Sequence, residues 1–158
     1  MSHSEGEHIC CTITDQGEGM RCFGHTEDGE AVFVEGKTMP GDQVLAELIT
    51  QHPAYLVARL LELTEPAAGR IPAPCPHFDT CGGCKWQQMA YAQECALKHK
   101  QVSDAIRHIA GLAGAEVLPL VAADEMYGYR NKLSFSCRDH VLGYHLPGDA
   151  EKVLPIKH

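Results

Sequence analysis

The chain has 158 residues and a formal net charge of −8, with 44% hydrophobic, 22% charged and 6% aromatic residues. This balance excludes a disordered polyelectrolyte, and the longest apolar runs, residues 55–58 and 117–123, are too short to cross a bilayer. The acidic amino terminus lacks the features of a secretion signal, so we expect a cytoplasmic globular protein with no membrane partner.

Residues 8–64 predict five short β-strands, at 9–13, 20–25, 31–34, 43–49 and 55–63. Turn signals separate them at Asp28-Gly29, Met39-Pro40-Gly41 and His52-Pro53. Five strands are too few for a full sandwich and favour a small closed barrel of OB-like type. We assign residues 1–66 to this barrel.

The barrel region is acidic. Residues 1–70 hold 12 acidic and 4 basic side chains, so the whole net charge lies there. Because Lys and Arg drive phosphate binding, this part of the chain has no broad electrostatic attraction for nucleic acid.

Proline and glycine cluster between Pro66 and Pro76, which predicts a linker that leads into a cysteine motif, residues 67–84. Residues 85–112 then predict a helix that stops at Gly111. Its apolar face comprises Ala92, Cys95, His99, Val102, Ile106 and Ile109.

After the helix, the pattern predicts strands at 117–121, 132–137 and 141–145, and a further strand from Glu151. Residues 138–140 form the predicted hairpin turn, and Pro147-Gly148 ends the hairpin. Residues 85–158 are therefore interpreted as a helix plus an incomplete α/β domain. The predicted fold class is mainly β with α: a five-stranded barrel, a cysteine loop, one long helix and the beginning of a mixed α/β domain.

The strongest chemical signal is the spacing C-x5-C-x2-C formed by Cys75, Cys81 and Cys84. In a reducing cytosol, clustered thiols are more often metal or cluster ligands than disulfides. Two thiolates separated by two residues bind one metal or two corners of one cluster, and Gly82-Gly83 lets backbone amides turn toward the sulfurs. We expect a [4Fe–4S] cluster, with zinc as the alternative because spacing alone does not fix the metal. A disulfide or inert thiols are the third interpretation.

A cubane cluster or a tetrahedral zinc site needs a fourth ligand. The candidates are His77, Cys95, Cys137 and a residue beyond His158. Cys95 lies on the apolar helix face and Cys137 in a strand with apolar alternate positions, so we expect both to pack inward. Three further cysteines have no ligand spacing and are interpreted as structural: Cys10, Cys11 and Cys22.

Three stretches of the barrel, residues 12–19, 31–36 and 40–44, resemble successive turns and strands of the TRAM domain. Residues 70–88, RIPAPCPHFDTCGGCKWQQ, closely resemble the iron–sulfur motif of the RNA (uracil-5-)-methyltransferases. Residues 127–132 and 142–148 are similar to the opening of the central domain in that family. The resemblance covers nearly the whole chain.

This resemblance implies a parent enzyme that uses S-adenosylmethionine to form 5-methyluridine in ribosomal or transfer RNA. The family's nucleophilic cysteine, its carboxylate base and its cofactor loop lie in a carboxyl-terminal domain, so we expect no catalytic residue in this chain and no activity from it alone. The chain is interpreted as an amino-terminal portion. The family's fourth cluster cysteine follows a segment like residues 151–158, and the role implied for the cluster is structural.

Two segments are candidates for contacts with RNA. Tyr129, Arg130, Asn131 and Lys132 combine an aromatic ring with groups that hold phosphates, and Lys85 and Trp86 adjoin the cysteine motif. The alternative for the first segment is a strand start with Tyr129 in the core and solvated cations. The alternative for Trp86 is that it covers the cluster or packs against the helix.

Two other functions stay open from the residues alone. One is a small iron–sulfur redox protein or sensor with a complete ligand set. The other is a non-catalytic RNA-binding module that contains zinc. We expect the protein to be a monomer.

Overall fold

The structure, a computed structural model, describes residues 3–17, 21–147 and 149–156. The chain forms two compact units; the first ends at Pro72 and the second begins at Ala73. No helix in the described ranges has the length and apolar character needed to cross a membrane.

The first unit is a closed five-stranded barrel, as predicted. Its strands are β1 (His8–Gln16), β2 (Arg21–Thr26), β3 (Ala31–Glu35), β4 (Gln43–Gln51) and β5 (Leu56–Glu65). They pair in the order β1-β2-β3-β5-β4, and all pairs are antiparallel except β3 with β5. The start predicted for the second strand, Met20, lies outside the described residues.

Alternate residues of each strand face the barrel interior because side chains in a strand point to opposite faces. The buried core is aliphatic apart from the thiols of Cys11 and Cys22. Burial raises the pKa of both thiols to about 11. They stay protonated at neutral pH, which agrees with their interpretation as structural. Cys10 precedes Cys11 in β1, faces the opposite side of the strand and is exposed.

The barrel closes tightly where β1 and β2 meet. The register shifts between Ile13 and Asp15, opposite Gly24. A Cβ atom on Gly24 would lie 2.2 Å from the carbonyl oxygen of Thr12, so this approach of the two strands requires glycine.

The first unit extends past β5 because Asp42 binds the chain that follows it. The carboxylate of Asp42 is fully buried and accepts hydrogen bonds from the Met39 amide at 2.8 Å and the Ala67 amide at 2.9 Å. It also forms a bidentate ion pair with Arg70, whose guanidinium donates to the Lys37 carbonyl at 3.0 Å. This network attaches residues 67–70 to the barrel.

The second unit contains one helix and one sheet. Helix α1 (Tyr91–Asp104) continues into a π-helical turn (Ala105–Ile109), and Gly111 follows with a φ of +69°. The antiparallel sheet comprises β6 (Ser136–Arg138), β7 (Val141–Leu146) and β8 (Asp149–Pro155). Asp139 and His140 both have positive φ, which makes the predicted β6–β7 hairpin turn a two-residue type I′ turn.

Several expectations for this unit are wrong. The helix is shorter than residues 85–112, because residues 86–89 form a separate turn with the Met89 amide bonded to the Trp86 carbonyl. Residues 117–121 are not a strand: Pro119 has no N–H to donate to a ladder. Of the strand expected at 132–137, only the last two residues pair with β7.

The predicted apolar helix face is also incorrect. Leu97 is the buried residue of α1, whereas Val102 is 52% and Ile109 87% exposed. Two other members of that face, His99 and Ile106, are half-buried. Cys95 is half-buried, and Cys137 is exposed rather than packed inward because β6 is short.

Candidate functional site

The three cysteines of the motif lie in a loop that begins with a tight turn. The Phe78 amide donates to the Cys75 carbonyl at 3.1 Å, and the Cys81 amide donates to the His77 carbonyl at 2.8 Å. Phe78 is buried and anchors the loop. Cys81 is buried, Cys75 is half-buried and Cys84 is exposed.

Two N–H groups donate to sulfur atoms of this loop. The Gly83 amide donates to Sγ of Cys81 at 3.3 Å, and the Gln87 side-chain amide donates to Sγ of Cys84 at 3.3 Å. Hydrogen bonds to sulfur tune ligated thiolates in iron–sulfur proteins. The sequence spacing predicts amide donors from the glycine pair but does not single out Gln87.

Gln87 links the two ends of the cysteine loop. Its side-chain oxygen accepts a hydrogen bond from the Cys75 amide at 3.2 Å while its nitrogen donates to Cys84. The first and last cysteines are therefore held by one side chain. The only available sequence signal was its position three residues after Cys84.

The donor set of the loop fits the expected cluster in its chemistry. Three thiols within ten residues, two of them accepting N–H hydrogen bonds, suit the chemistry of an iron–sulfur cluster or of zinc. Over residues 3–17, 21–147 and 149–156, however, no three His, Cys, Asp or Glu side chains converge as a metal-binding group.

The glycine pair of the loop rests on β7. The Gly82 amide donates to the His145 carbonyl at 3.2 Å, and a Cβ atom on Gly82 would lie 2.8 Å from that oxygen. A Cβ atom on Gly83 would lie 3.4 Å from Sγ of Cys81 and from the Tyr144 ring, which is ordinary contact. Gly82 therefore permits the loop to approach the sheet, and Gly83 is less constrained.

Replacing Gly82 with Ala is expected to destabilise the second unit by about 1–3 kcal/mol, because the new methyl group meets a backbone oxygen. Gly83→Ala is the matched control and should change stability by less than ~0.5 kcal/mol. Urea unfolding followed by the fluorescence of Trp86, the single tryptophan, measures both. Equal effects of the two substitutions would contradict the contact with β7.

Lys85 is exposed and Trp86 is half-buried. The Lys98 ammonium lies 5.3 Å from the centre of the Trp86 ring, and the hydrogen bond that it donates to the Glu94 carboxylate raises the pKa of Lys98. Trp86 therefore contacts the Lys98 side chain of the helix, which agrees with the alternative in which Trp86 packs against the helix. The Lys98 ammonium stays charged at physiological pH.

The other candidate RNA segment is exposed and irregular. Tyr129 is 73% exposed, and Arg130, Asn131 and Lys132 are exposed as well. None of the four belongs to a strand. The core position considered for Tyr129 is therefore wrong, and its ring faces solvent.

The amino-acid sequence was compared with known proteins. The sequence model of the TRAM domain family matches residues 4–61. A protein of Chlorobaculum tepidum named as an uncharacterized RNA methyltransferase is 38% identical over 98% of this chain and 36% of its own length. A Gloeobacter violaceus protein named in the same way is 32% identical over 96% of this chain and 34% of its own length.

A third relative carries a more specific name. The 23S rRNA (uracil(1939)-C(5))-methyltransferase RlmD of Bordetella parapertussis is 37% identical over 68% of this chain and 23% of its own length. The chain thus spans about a third or less of these curated relatives. It contains a TRAM domain and is homologous, over nearly all of its residues, to proteins named RNA methyltransferases.

Proposed function

We propose that this chain is the RNA-recognition and cluster-binding portion of an S-adenosylmethionine-dependent RNA (uracil-5-)-methyltransferase that forms 5-methyluridine in ribosomal RNA. The observation that carries the proposal is the alignment over 98% of the chain, which includes both the barrel and the cysteine loop. The name of the Bordetella relative favours ribosomal over transfer RNA as the substrate.

The division of labour follows from the chemistry. Attack on C6 of a uracil needs an activated nucleophile, and removal of the C5 proton needs a base. The described residues offer exposed aromatic and cationic side chains and thiols with hydrogen-bonded sulfurs, which supports a role in recognition and structure. S-adenosylmethionine and the reacting groups belong to the remainder of a longer protein.

The cysteine loop is proposed to hold a [4Fe–4S] cluster through Cys75, Cys81 and Cys84. Methyl transfer consumes no electrons, so the proposed role of the cluster is structural. It would supply a rigid cross-link. The Gly83 amide and the Gln87 side chain would donate hydrogen bonds to two of the ligating sulfurs. Residues 85–158 are proposed to begin a mixed α/β central domain that this cross-link stabilises.

The test of the activity compares two proteins: the full-length protein that carries this sequence and the 158-residue chain alone. Each is incubated with methyl-labelled S-adenosylmethionine and a 23S rRNA transcript. The full-length protein is expected to transfer the label to C5 of a uridine, identified by nucleoside mass spectrometry. The chain alone should transfer none but should bind the transcript. Label on another base or position, or none from the longer protein, would refute the proposal.

A further inference from the structure

Five aromatic rings form a continuous row on the outside of the barrel. Phe23 and Phe33 are direct partners across β2 and β3, with ring centres 5.3 Å apart. Tyr55 contacts Phe33 edge-on at 5.3 Å, and the rings of His25 and His52 continue the row at its two ends, 5.0 Å from Phe23 and 4.5 Å from Tyr55. These residues are called the aromatic row.

Strand alternation places the row on the outer face. Cys22 and Gly24 beside Phe23 are buried, as are Val32 and Val34 beside Phe33, so the phenylalanines point away from the core. The outer face of a solvated antiparallel sheet normally carries polar side chains. Tyr55 is 37% exposed. The barrel core therefore does not account for these rings.

Two arginines lie beside the row. The strand register places Arg21 opposite Glu35, and Glu35 opposite Arg59. Arg21 and Glu35 lie two residues along their strands from Phe23 and Phe33, on the same face of the sheet. Arg21 pairs with Glu35 at 2.7 Å and Arg59 pairs with Glu47, yet the two arginine side chains remain 54% and 64% exposed. Exposed pairs of this kind are weak, so a phosphate can compete for the guanidinium groups.

Arg21 and Arg59 are half of the basic residues in the acidic part of the chain, residues 1–70. Residues 1–70 hold 4 basic side chains, Arg21, Lys37, Arg59 and Arg70. Arg70 is committed to the buried carboxylate of Asp42. Two of the other three flank the aromatic row, which is therefore the part of the barrel surface where rings and guanidinium groups lie together.

We propose that the aromatic row binds an unpaired stretch of RNA, with bases stacked on Phe23, Phe33 and Tyr55 and phosphates bound by Arg21 and Arg59. Aromatic side chains beside a cationic groove are how OB-type barrels bind single strands. A protein partner fits less well because interface cores are depleted of charge, whereas this row is one ring wide and bordered by ion pairs. The proposal rests on the proposed function and specifies its RNA surface.

The test uses the 158-residue chain and a fluorescein-labelled oligouridine of twelve nucleotides, with binding followed by fluorescence anisotropy. Phe33→Leu and Phe23→Leu keep an apolar side chain but remove a stacking surface, and each should weaken binding roughly tenfold. Arg21→Gln should weaken binding and reduce the slope of log affinity against log salt by about one. Ile49→Ala, an exposed apolar residue of β4 outside the row, is the matched control and should bind as the unmodified chain does.

Three results would overturn the proposal. Unchanged binding by the Phe23→Leu/Phe33→Leu double variant, together with loss of binding by Tyr129→Ala, would assign RNA to the other segment and leave the proposed function intact. Self-association that Phe33→Leu abolishes would make the row an interface between copies of the chain. No binding by the unmodified chain to oligouridine or to the rRNA transcript would refute the RNA surface and RNA recognition by this chain together. Circular dichroism melts establish that each variant is folded.

Discussion

Replacing Asp42 with Ala is expected to lower the free energy of unfolding of the barrel by about 3–5 kcal/mol, because it leaves a partly buried guanidinium without its carboxylate. Asp42 is fully buried, and its oxygens accept four hydrogen bonds, two of them from Arg70. The substitution also leaves the amides of Met39 and Ala67 without an acceptor, and each unsatisfied buried donor is costly. Urea unfolding followed by far-ultraviolet circular dichroism measures the loss.

The control for this prediction is an ion pair on the surface of the same barrel. Arg59→Gln removes the pair with Glu47, whose arginine is largely exposed, and should cost less than ~1 kcal/mol. Asp42→Asn keeps the shape and one acceptor oxygen, so its effect should lie between the other two. A cost for Asp42→Ala no larger than that for Arg59→Gln would show that the network does not attach residues 67–70 to the barrel.

The barrel was predictable because each of its strands has one buried face. Alternation of apolar and polar residues is strongest under that condition, and the Asp28-Gly29 turn separates β2 from β3 as expected. The Asp42–Arg70 pair was not predictable. Asp42 follows Pro40-Gly41 and has the sequence context of an ordinary turn residue, and its partner lies 28 positions away.

The second unit was predicted less well because its elements are not set by local pattern. The apolar periodicity of the helix is real in the sequence, yet the described second unit buries Leu97 instead of that face. The run at 117–121 is apolar enough for a strand, but Pro119 interrupts its ladder. Apolar residues therefore give a strong sequence signal even where they find no packing partner.

The candidate sites also have features that local sequence predicts and features that depend on the folded chain. The spacing of the three cysteines predicts a metal-binding loop because ligand chemistry is encoded over a few residues, and the ligand role stays a prediction. The bridge made by Gln87 and the contact between Gly82 and β7 depend on the folded loop, so spacing could not reveal them. The aromatic row was missed because a phenylalanine in an alternating strand is ordinarily interpreted as core.

Replacing Cys84 or Cys81 with Ala is expected to abolish iron binding. The anaerobically purified full-length protein that carries this sequence should contain iron and show the broad visible absorption of an iron–sulfur cluster. Both variants of that protein should lose the iron because each removes a ligating thiolate. Cys10→Ala and Cys137→Ala remove exposed thiols outside the loop and should retain the iron. If the unmodified protein is colourless and contains stoichiometric zinc, the loop binds zinc and not an iron–sulfur cluster.

Alkylation with iodoacetamide gives a second measurement of the same ligands. In the iron-loaded full-length protein, Cys10 and Cys137 should react while Cys84 is protected; after chelation of the iron, Cys84 should react as well. Cys11 and Cys22 should stay unlabelled in both states, since each thiol is buried and has its pKa raised to about 11. Equal labelling of Cys84 in both states would contradict its role as a ligand.

The Cys81→Ala and Cys84→Ala variants also distinguish a structural role of the cluster from the packing of the cysteine side chains. Cys81 is buried, so its replacement removes packing as well as a ligand, and a loss of stability there has two possible causes. Cys84 is exposed, and its replacement should cost little in the metal-free chain. If Cys84→Ala melts at a lower temperature than the iron-loaded protein but at the same temperature as the metal-free protein, the difference comes from the cluster. The free energy of binding the cluster adds to the stability of the fold. Unchanged stability of an iron-free Cys84→Ala chain would refute the structural role.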